Sequence, residues 1–348
     1  MAGFHLPLPE ADPDPRPRQL RRRPRRRPAP GGGRVNTVLR RVAAVRTSDG
    51  AVLHAVVDGS DDAPVTLVLA HGWTLAQAAW DDVAELLTPK VAEGELRLIR
   101  YDQRGHGRST WGRYADDVAE LSIDQLGQDL GELLDDLAPA GPVVLGGHSM
   151  GGMTIMCLAA ARPELFGDRV RGVALVSTSA GDLAPAGETL VERLQLRLAP
   201  GMVSAAIGGA RAIERLRQLL PPSHPRHQKL VRELLYGADA TDDMVVAGAE
   251  IMHATTIRAF AAFYPALGEH DKRQELKALA DVPVEILVGD SDKLTPKRHS
   301  RQMAEVLPEA NLEIVPRTGH MLPQERPQLV TDAIGRLLSA ATSDRAAA

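Results

Sequence analysis

The sequence predicts an α/β fold whose mostly parallel, eight-stranded sheet is covered by helices on both faces. Short apolar runs, of the kind found in buried strands, alternate along the chain with longer segments of helical periodicity. A glycine-rich turn at residues 147–151 joins one of these runs directly to a helical segment. With 348 residues, 44% of them hydrophobic and 25% charged, the chain has the composition of a globular protein with a large core.

The predicted elements follow one another in a regular order. Apolar runs at 42–46 and 52–57, separated by Ser48-Asp49-Gly50, predict a hairpin at an antiparallel edge of the sheet. Further strands are predicted at residues 65–70, 96–101, 143–145, 170–177, 284–288 and 311–315. Helices are predicted at 76–87, 123–137 and 153–161, another follows residues 294–296, and Pro323 and Glu325 are expected to open the final helix.

The turn Gly147-His148-Ser149-Met150-Gly151 places Ser149 at a strand-turn-helix corner, the geometry of a nucleophile elbow. Glycines suit such a corner because it demands unusual backbone torsions and a close approach of strand and helix. The backbone N–H of Met150 would open the following helix, where developing negative charge is stabilised. The pattern therefore predicts a nucleophilic Ser149 rather than a structural serine turn.

A serine hydroxyl needs a neighbouring base, and the base needs a group that orients it. Asp290 and Asp292 both follow the predicted strand 284–288, and His320 follows the strand 311–315. The carboxyl ends of parallel strands meet at one edge of a sheet, so these side chains are expected near Ser149. Either aspartate could orient His320 on this argument alone.

From residue 42 to 338 the chain resembles the α/β-hydrolase superfamily. Four signatures carry the resemblance: His71-Gly72-Trp73, the stretch YDQRGHGRS at 101–109, the elbow, and the late Gly-x-x-Asp with Gly319-His320. The order Ser, Asp, His is that of the family's triad. Family spacing favours Asp292 as the acid, which leaves Asp290 as a turn former. The resemblance also implies that the backbone N–H of Trp73 is the second oxyanion-hole donor, and that His71 and the 102–109 stretch are structural.

Residues 181–271 show helical patterns and no convincing strand, and in the family an insertion at this point forms a helical lid. The implied organisation is a Pro/Arg-rich tail (1–34), a first core part (35–180), the lid or cap (181–271) and a second core part (272–348). Seven apolar lid residues are expected either to line a substrate pocket or to form the lid's own core. They are Met202, Ile207, Met244, Met252, Phe260, Phe263 and Tyr264.

Charge is distributed unevenly along the chain. The first 34 residues carry nine arginines and three acids, a charge of +6, so the overall −4 leaves −10 for the remainder. The tail is expected to be disordered because its composition cannot bury a core, and it has no apolar region typical of an export signal. The acidic body gives no indication of nucleic-acid binding. No apolar stretch is long enough to span a bilayer, and Cys157, the single cysteine, cannot form an internal disulfide.

The predicted activity is hydrolysis of a carboxylic ester with an apolar acyl group or a small hydrophobic substrate, through an acyl-Ser149 intermediate. His320 is expected to act as general base and then acid, with Asp292 orienting it. No cofactor or metal is expected, and a cytoplasmic location and a bacterial source are expected. Carbon–carbon bond hydrolysis, acyl transfer and cofactor-free perhydrolysis would use the same triad. A non-catalytic binding protein is disfavoured because all three triad residues are present.

Overall fold

The structure is a computed structural model that describes residues 38–118, 120–183, 214 and 221–346. Eight strands form one sheet in the order β1-β2-β4-β3-β5-β6-β7-β8. Their bounds are β1 Arg40–Arg46, β2 Val52–Asp58, β3 Thr66–Ala70, β4 Arg97–Tyr101, β5 Val143–His148, β6 Val170–Val176, β7 Val284–Gly289 and β8 Asn311–Val315. The prediction of an eight-stranded α/β fold is confirmed.

The antiparallel part of the sheet lies at one edge, as predicted. β1 pairs with β2 antiparallel, with Ala43 opposite Ala55, and β2 pairs antiparallel with β4. All other pairs are parallel. β3 and β5 lie at the centre and their residues are buried along their whole length, as expected for strands covered on both faces.

Helices lie between the strands and after the last one. Their bounds are α1 Asp81–Ala92, α2 Ile123–Leu137, α3 Met150–Ala161, α4 Pro225–Leu235, α5 Asp242–Ala254, α6 Ile257–Glu269, α7 Lys297–Val306, α8 Leu322–Glu325 and α9 Pro327–Ala346. Even α9, with 20 residues, does not combine the length and apolar character of a membrane-spanning helix, and neither does any other helix of the described residues.

Two apolar clusters of the core follow the alternation of side chains along the strands. In β3, Val68 belongs to one cluster, while Leu67 and Leu69 belong to the other. α2 shows how the helices fit this arrangement, because Leu126, Leu130 and Leu133 recur at helical spacing and are all buried. The two clusters cover the central strands, which positions the loops at their carboxyl ends.

Helix boundaries differ from prediction in three places. Residues 77–80 form a 3₁₀ turn, so α1 begins at Asp81 and extends to Ala92. α3 begins at Met150, directly after Ser149, and not at 153. Pro323 and Glu325 do not open the final helix, because they lie in the four-residue helix α8 and α9 begins at Pro327. Arg326, with φ −137°, breaks the helical conformation between the two.

Between β6 and β7 the chain leaves the sheet. Within residues 221–271 it forms α4, α5 and α6 and no strand, as the sequence predicts for this segment. Phe263 of α6 is fully buried and packs in one cluster with Met150 and Met153 of α3. Part of the predicted helical segment, at 184–213 and 215–220 and including Met202 and Ile207, lies outside the described residues, as does the tail. The domain boundaries and the role of residues 181–271 as a lid stay predictions.

Candidate active site

The corner between β5 and α3 holds Ser149 in a conformation that only a few residues other than glycine adopt. Its φ is 54° and its ψ is −118°. The backbone N–H of Ser149 donates to Val176 O at 2.9 Å, and the Thr178 hydroxyl donates to Ser149 O at 2.7 Å. Strained backbone of this kind costs about 1–3 kcal/mol and clusters at functional sites. Neighbouring groups thus hold the strained serine in place.

The elbow glycines provide space rather than torsional freedom. A Cβ on Gly151 would lie 2.2 Å from Ala70 O, and one on Gly147 would lie 2.5 Å from the carbonyl carbon of Gly151. Neither glycine has a positive φ, so the unusual torsion falls on Ser149 itself. The expected close approach of strand and helix is therefore observed, whereas the torsional argument applies to the serine.

Asp292 and His320 are brought together by the loops after β7 and β8. His320 Nδ1 donates to Asp292, with both carboxylate oxygens 2.9–3.0 Å away. This bond places the proton of a neutral imidazole on Nδ1 and leaves Nε2 as the basic nitrogen. Burial opposes the charged form of Asp292, but His320 and the donors of Thr295 outweigh it and lower the pKa of the carboxyl. Asp292 is therefore a carboxylate at neutral pH.

The choice between the two aspartates is decided by position. The Asp292 side chain is fully buried against His320, while Asp290 is partly exposed and accepts a hydrogen bond from the Ser291 hydroxyl at 2.8 Å. Asp290 makes no hydrogen bond to His320. The geometry agrees with the family spacing in favouring Asp292.

Thr295 is a site residue that the sequence analysis did not single out. Its hydroxyl donates to Asp292 Oδ2 at 2.9 Å, and its backbone N–H donates to Asp292 Oδ1 at the same distance. The backbone N–H of Leu294 donates to Oδ1 as well. These donors fix the plane of the carboxylate that faces His320. The position of Thr295, three residues after an Asp as in an Asx or capping turn, is the feature of the sequence that could have indicated this role.

The loop that carries His320 is tied to helix α4. The backbone N–H of His320 donates to Leu235 O at 2.7 Å. The buried carboxylate of Glu325 accepts from Gly319 N at 2.9 Å and from Gly237 N at 2.8 Å. Burial raises the pKa of Glu325, while the two N–H donors favour its charged form. Glu325, which the sequence pattern indicated only as part of a helix start, is thus a second group that holds the His320 loop in position.

The neighbour of Ser149, His148, connects the nucleophile's loop to the Asp292–His320 pair. His148 Nε2 donates to His320 O at 2.8 Å, and the two imidazole rings are 4.9 Å apart. Burial lowers the pKa of His148 to about 3, so its ring is neutral and serves as a spacer. Among the described residues no hydrogen bond joins the Ser149 hydroxyl to His320, although such contacts are often long until a substrate is bound.

The loop after β3 approaches Ser149 from the other side. A Cβ on Gly72 would lie 3.1 Å from the Cβ of Ser149, so no larger residue fits there without displacement. Trp73 follows this glycine, and Met150 opens α3 directly after the serine. Within the described chain neither the Trp73 nor the Met150 backbone N–H has a hydrogen-bond acceptor. Two backbone donors that have no acceptor among the described residues thus belong to the segments next to Ser149.

A buried network holds the loop after β3 against α3. His71 Nδ1 donates to Gly72 O at 2.7 Å, and its Nε2 accepts from Gln103 N at 2.9 Å. The Gln103 side chain donates to His71 O and accepts from the Thr154 hydroxyl. Burial lowers the pKa of His71, so the ring is neutral with both nitrogens engaged. This agrees with the expected structural role of His71.

The 102–109 stretch is likewise occupied by structural contacts. Asp102 accepts from Gln77 N and Arg108 N. The fully buried guanidinium of Arg104 donates to Asp129 and to Asp49, with distances from 2.6 to 3.0 Å. These bonds link the loop to α2 and to the β1–β2 turn. Cys157, also buried, packs with the apolar side chains of α3, and burial raises the pKa of its thiol.

A cleft of about 470 Å³ lies among α4, α5 and α6. We call it the α4–α6 cleft. It is lined by Thr74, His224, Arg226, His227, Leu230, Met252, His253, Thr255, Thr256, Ile257 and Phe260. Its volume lies within the range of about 300–1,000 Å³ that is usual for small-molecule sites. Thr74 directly follows Trp73, and the ring of Phe260 lies 4.6 Å from that of Trp73. The cleft therefore begins beside the loop after β3.

Five of the seven apolar residues expected in the pocket or the lid core lie among the described residues, and the structure divides them. Met252 and Phe260 line the α4–α6 cleft. Phe263 is fully buried against the core, and Met244 packs against the cluster that α4 and α5 form. Tyr264 stacks against Phe260. The described residues contain no group of three or more His, Cys, Asp or Glu side chains arranged to hold a metal ion.

Comparison with known proteins identifies the family. The model of the alpha/beta hydrolase family matches residues 67–333. The chain belongs to the alpha/beta hydrolase family. The matched range includes every residue of the candidate site.

Individual relatives within this family carry different names. The mouse sn-1-specific diacylglycerol lipase ABHD11 is 25% identical over 82% of this chain and 84% of its own length. The probable oxidoreductase EphD of Mycobacterium tuberculosis is 26% identical over 83% of this chain, which spans only 48% of that protein. A solved structure from a study of carboxylesterases of Nitrososphaera gargenis is 22% identical, with a TM-score of 0.65 over 87% of this chain and all of that one.

Proposed function

We propose that this member of the family hydrolyses carboxylic esters through an acyl-Ser149 intermediate. His320 Nε2 removes the proton of the Ser149 hydroxyl as it attacks the ester carbonyl, and then donates it to the leaving alcohol. Asp292 holds the imidazole in the required tautomer and stabilises the imidazolium. Water then hydrolyses the acyl-enzyme by the same steps.

The observation that carries the proposal is the strained Ser149 between a buried Asp292–His320 pair and two unoccupied backbone donors. The N–H groups of Trp73 and Met150 are the proposed oxyanion hole. Since they have no acceptor among the described residues, binding an oxyanion breaks no existing bond. One such donor is typically worth about 3–4 kcal/mol of transition-state stabilisation.

The proposed substrate is an ester with an apolar acyl group or a small hydrophobic body. Support comes from the apolar side chains Leu230, Met252, Ile257 and Phe260 in the α4–α6 cleft beside the loop after β3. The lipase name of the mouse relative also favours an ester substrate. No cofactor enters these steps, because the serine, histidine and aspartate together supply the nucleophile and the proton transfers.

The test is hydrolysis of p-nitrophenyl esters from acetate to long-chain acyl groups by the wild type and by Ser149→Ala. Turnover that depends on Ser149 and has a chain-length optimum is the expected result. Phe260→Ala is the pocket variant, and it should move the optimum toward longer or bulkier acyl groups. Leu86→Ala, at an exposed position of α1, is its matched control and should leave the optimum unchanged.

Silence across the whole ester series would contradict the proposal. A fluorophosphonate probe separates the two explanations of that result. Labelling of Ser149 without ester turnover would indicate a working nucleophile whose pocket takes another substrate, and carbon–carbon hydrolysis of a diketone would then be tested. Absence of labelling would indicate a non-catalytic member of the family.

A further inference from the structure

We propose that the α4–α6 cleft selects esters whose acyl chain carries an anionic group, such as a carboxylate, several carbons from the scissile carbonyl. Arg226 is the residue that holds this group. The inference rests on the proposed ester hydrolysis and names the substrate class that the site takes. It follows from the charges that line the cleft, from the pairing of the cations on α4 and from the position of that helix.

Arg226 differs from the other cations of its helix in having no carboxylate partner. On α4, Lys229 pairs with Glu233 at 3.8 Å and Arg232 pairs with Asp242 at 2.5 Å. No ion pair or hydrogen bond of the Arg226 guanidinium is found in the described part of the chain, and this side chain lines the cleft. An unpaired guanidinium at the wall of a cleft is ready to form a bidentate bond with a carboxylate.

The polar side chains around Arg226 suit an anion as well. His224 Nδ1 accepts from Arg226 N at 3.2 Å, which places the proton of the neutral ring on Nε2, a donor. His227 directly follows Arg226 in α4 and also lines the cleft. No aspartate or glutamate is found among the described residues that line it. The carboxylate of Glu214 borders the cleft, where it accepts from the backbone N–H of Ile257 at 3.3 Å. The described side chains that line the cleft itself nevertheless carry donors and no carboxylate, in a chain whose residues after 34 carry a net charge of −10.

The position of α4 sets the distance between the anionic group and the ester. The carbonyl of Leu235, at the end of α4, accepts from His320 N, so this end of the helix touches the proposed general base. Arg226 lies nine residues earlier, which is about 14 Å along the helix axis. Between the two ends the cleft presents the apolar side chains Leu230, Met252 and Phe260. A medium-length apolar chain with a charged end matches this order.

The test uses mono-p-nitrophenyl esters of dicarboxylic acids with four to ten carbons, each compared with the same ester capped by a methyl ester at its far end. The measured quantity is the ratio of kcat/KM for the charged ester to that for the capped ester. We expect a ratio near or below one for the four-carbon acid, because its carboxylate cannot reach Arg226. For the eight- to ten-carbon acids we expect a ratio of about ten or more.

Variants on one helix connect this ratio to Arg226. Arg226→Ala should reduce the long-chain ratio to about one or below, and Arg226→Lys should retain part of it. Lys229→Ala is the matched control, since Lys229 lies three residues away, is exposed and does not line the cleft, and it should keep the wild-type ratio. A long-chain ratio that Lys229→Ala abolishes and Arg226→Ala preserves would overturn the assignment.

Other outcomes separate this inference from the proposed function. Ser149-dependent turnover of the capped esters with a ratio at or below one throughout overturns the inference and leaves ester hydrolysis standing. A preference seen only when the charge is on the alcohol overturns the acyl assignment. If no ester is hydrolysed, binding of sebacate to Ser149→Ala is measured by calorimetry. Binding that Arg226→Ala weakens at least tenfold supports the inference, and no binding overturns it.

Discussion

At the scale of single residues, the candidate site combines one strained position with one fully satisfied charge. Ser149 keeps a positive φ because Val176 and Thr178 hold its backbone on both sides. Asp292 is buried yet charged because His320, together with the backbone and hydroxyl donors of the turn, compensates for lost solvation. The strain presents the nucleophile, and the satisfied carboxylate orients the base.

Substitutions at the proposed triad should separate the two aspartates. Ser149→Ala, His320→Ala and Asp292→Asn should each lower kcat/KM for an ester by about 10⁴-fold or more, since each removes or misorients a group used in the transition state. Asp290→Asn, two residues away and without contact to His320, should stay within about twofold. Steady-state kinetics on one p-nitrophenyl ester measures all four, and sensitivity at Asp290 would contradict the assignment.

Thr295→Val should lower kcat by about 10- to 100-fold with little change in KM, because a hydrogen bond to a charged group is worth about 1.5–3 kcal/mol. The valine keeps the volume and removes the hydroxyl that donates to Asp292. Thr295→Ser keeps the hydroxyl and should restore most of the rate. A positioning role also predicts a shifted pH profile of kcat/KM for the valine variant. Wild-type rates in both variants would show that the hydroxyl is dispensable.

At the scale of elements, the segment after α4 and the loop after β8 behave as one unit. Leu235, Gly237 and the His320 loop share hydrogen bonds directly and through Glu325. Asp239 adds ion pairs to Arg317 at 2.5 Å and to Arg326 at 2.8 Å. Since α4 also lines the cleft, the helix that contacts substrate in our proposal contacts the general base as well.

Glu325→Gln should lower kcat more than it changes KM, because one of the two buried N–H groups would face an amide NH₂ and lose its acceptor. Leaving such a group unpaired costs about 1–3 kcal/mol, which corresponds to about a 5- to 150-fold loss if it falls on His320 positioning. Glu309→Gln, on an exposed turn, is the control. Hydrogen exchange of the Gly237 and Gly319 amides should be faster in the Glu325→Gln variant but not in the control. Unchanged exchange would contradict the proposed role of Glu325 in connecting the two loops.

At the scale of the whole molecule, several histidines are buried in the neutral form. Burial lowers the pKa of His106 and His148 to about 3 and that of His270 to about 4, and it lowers the pKa of His71 as well. In the unfolded chain each ring would bind a proton near pH 6.5. The folded state therefore excludes protons that the unfolded state takes up.

Folding stability should consequently fall as the pH is lowered from about 6.5 toward 3–4. A depressed folded-state pKa contributes stability that is fully present above the unfolded value and is lost as pH falls to the folded one. His106, His148 and His270 together contribute a slope of about 4 kcal/mol per pH unit near pH 5. Urea unfolding at several pH values measures this slope. His270→Gln should reduce it by about 1.4 kcal/mol per pH unit, the contribution of one proton. An equal slope in both proteins would contradict this account.

The bounds of strands and helices agree with the sequence periodicity where an element packs regularly in or on the sheet. β8 and α2 have their predicted bounds, because alternation of apolar runs and amphipathic helices is a local property. The disagreements lie where local rules compete with packing. The sequence predicts a helix start at Pro323, but Glu325 bonds back to Gly237 and Gly319 and the chain breaks at Arg326 before α9 begins.

Local patterns were enough to predict the fold class, the elbow and the sheet edge at which Ser149, Asp292 and His320 would lie, since strand direction and loop position depend on neighbouring residues. How these three side chains meet depends on tertiary contacts. β8 lies three strands from β5, about 14 Å, so the His320 loop must reach back across the edge. Leu235 and Glu325 hold it there. Such contacts join residues far apart in the chain, and no local pattern encodes them.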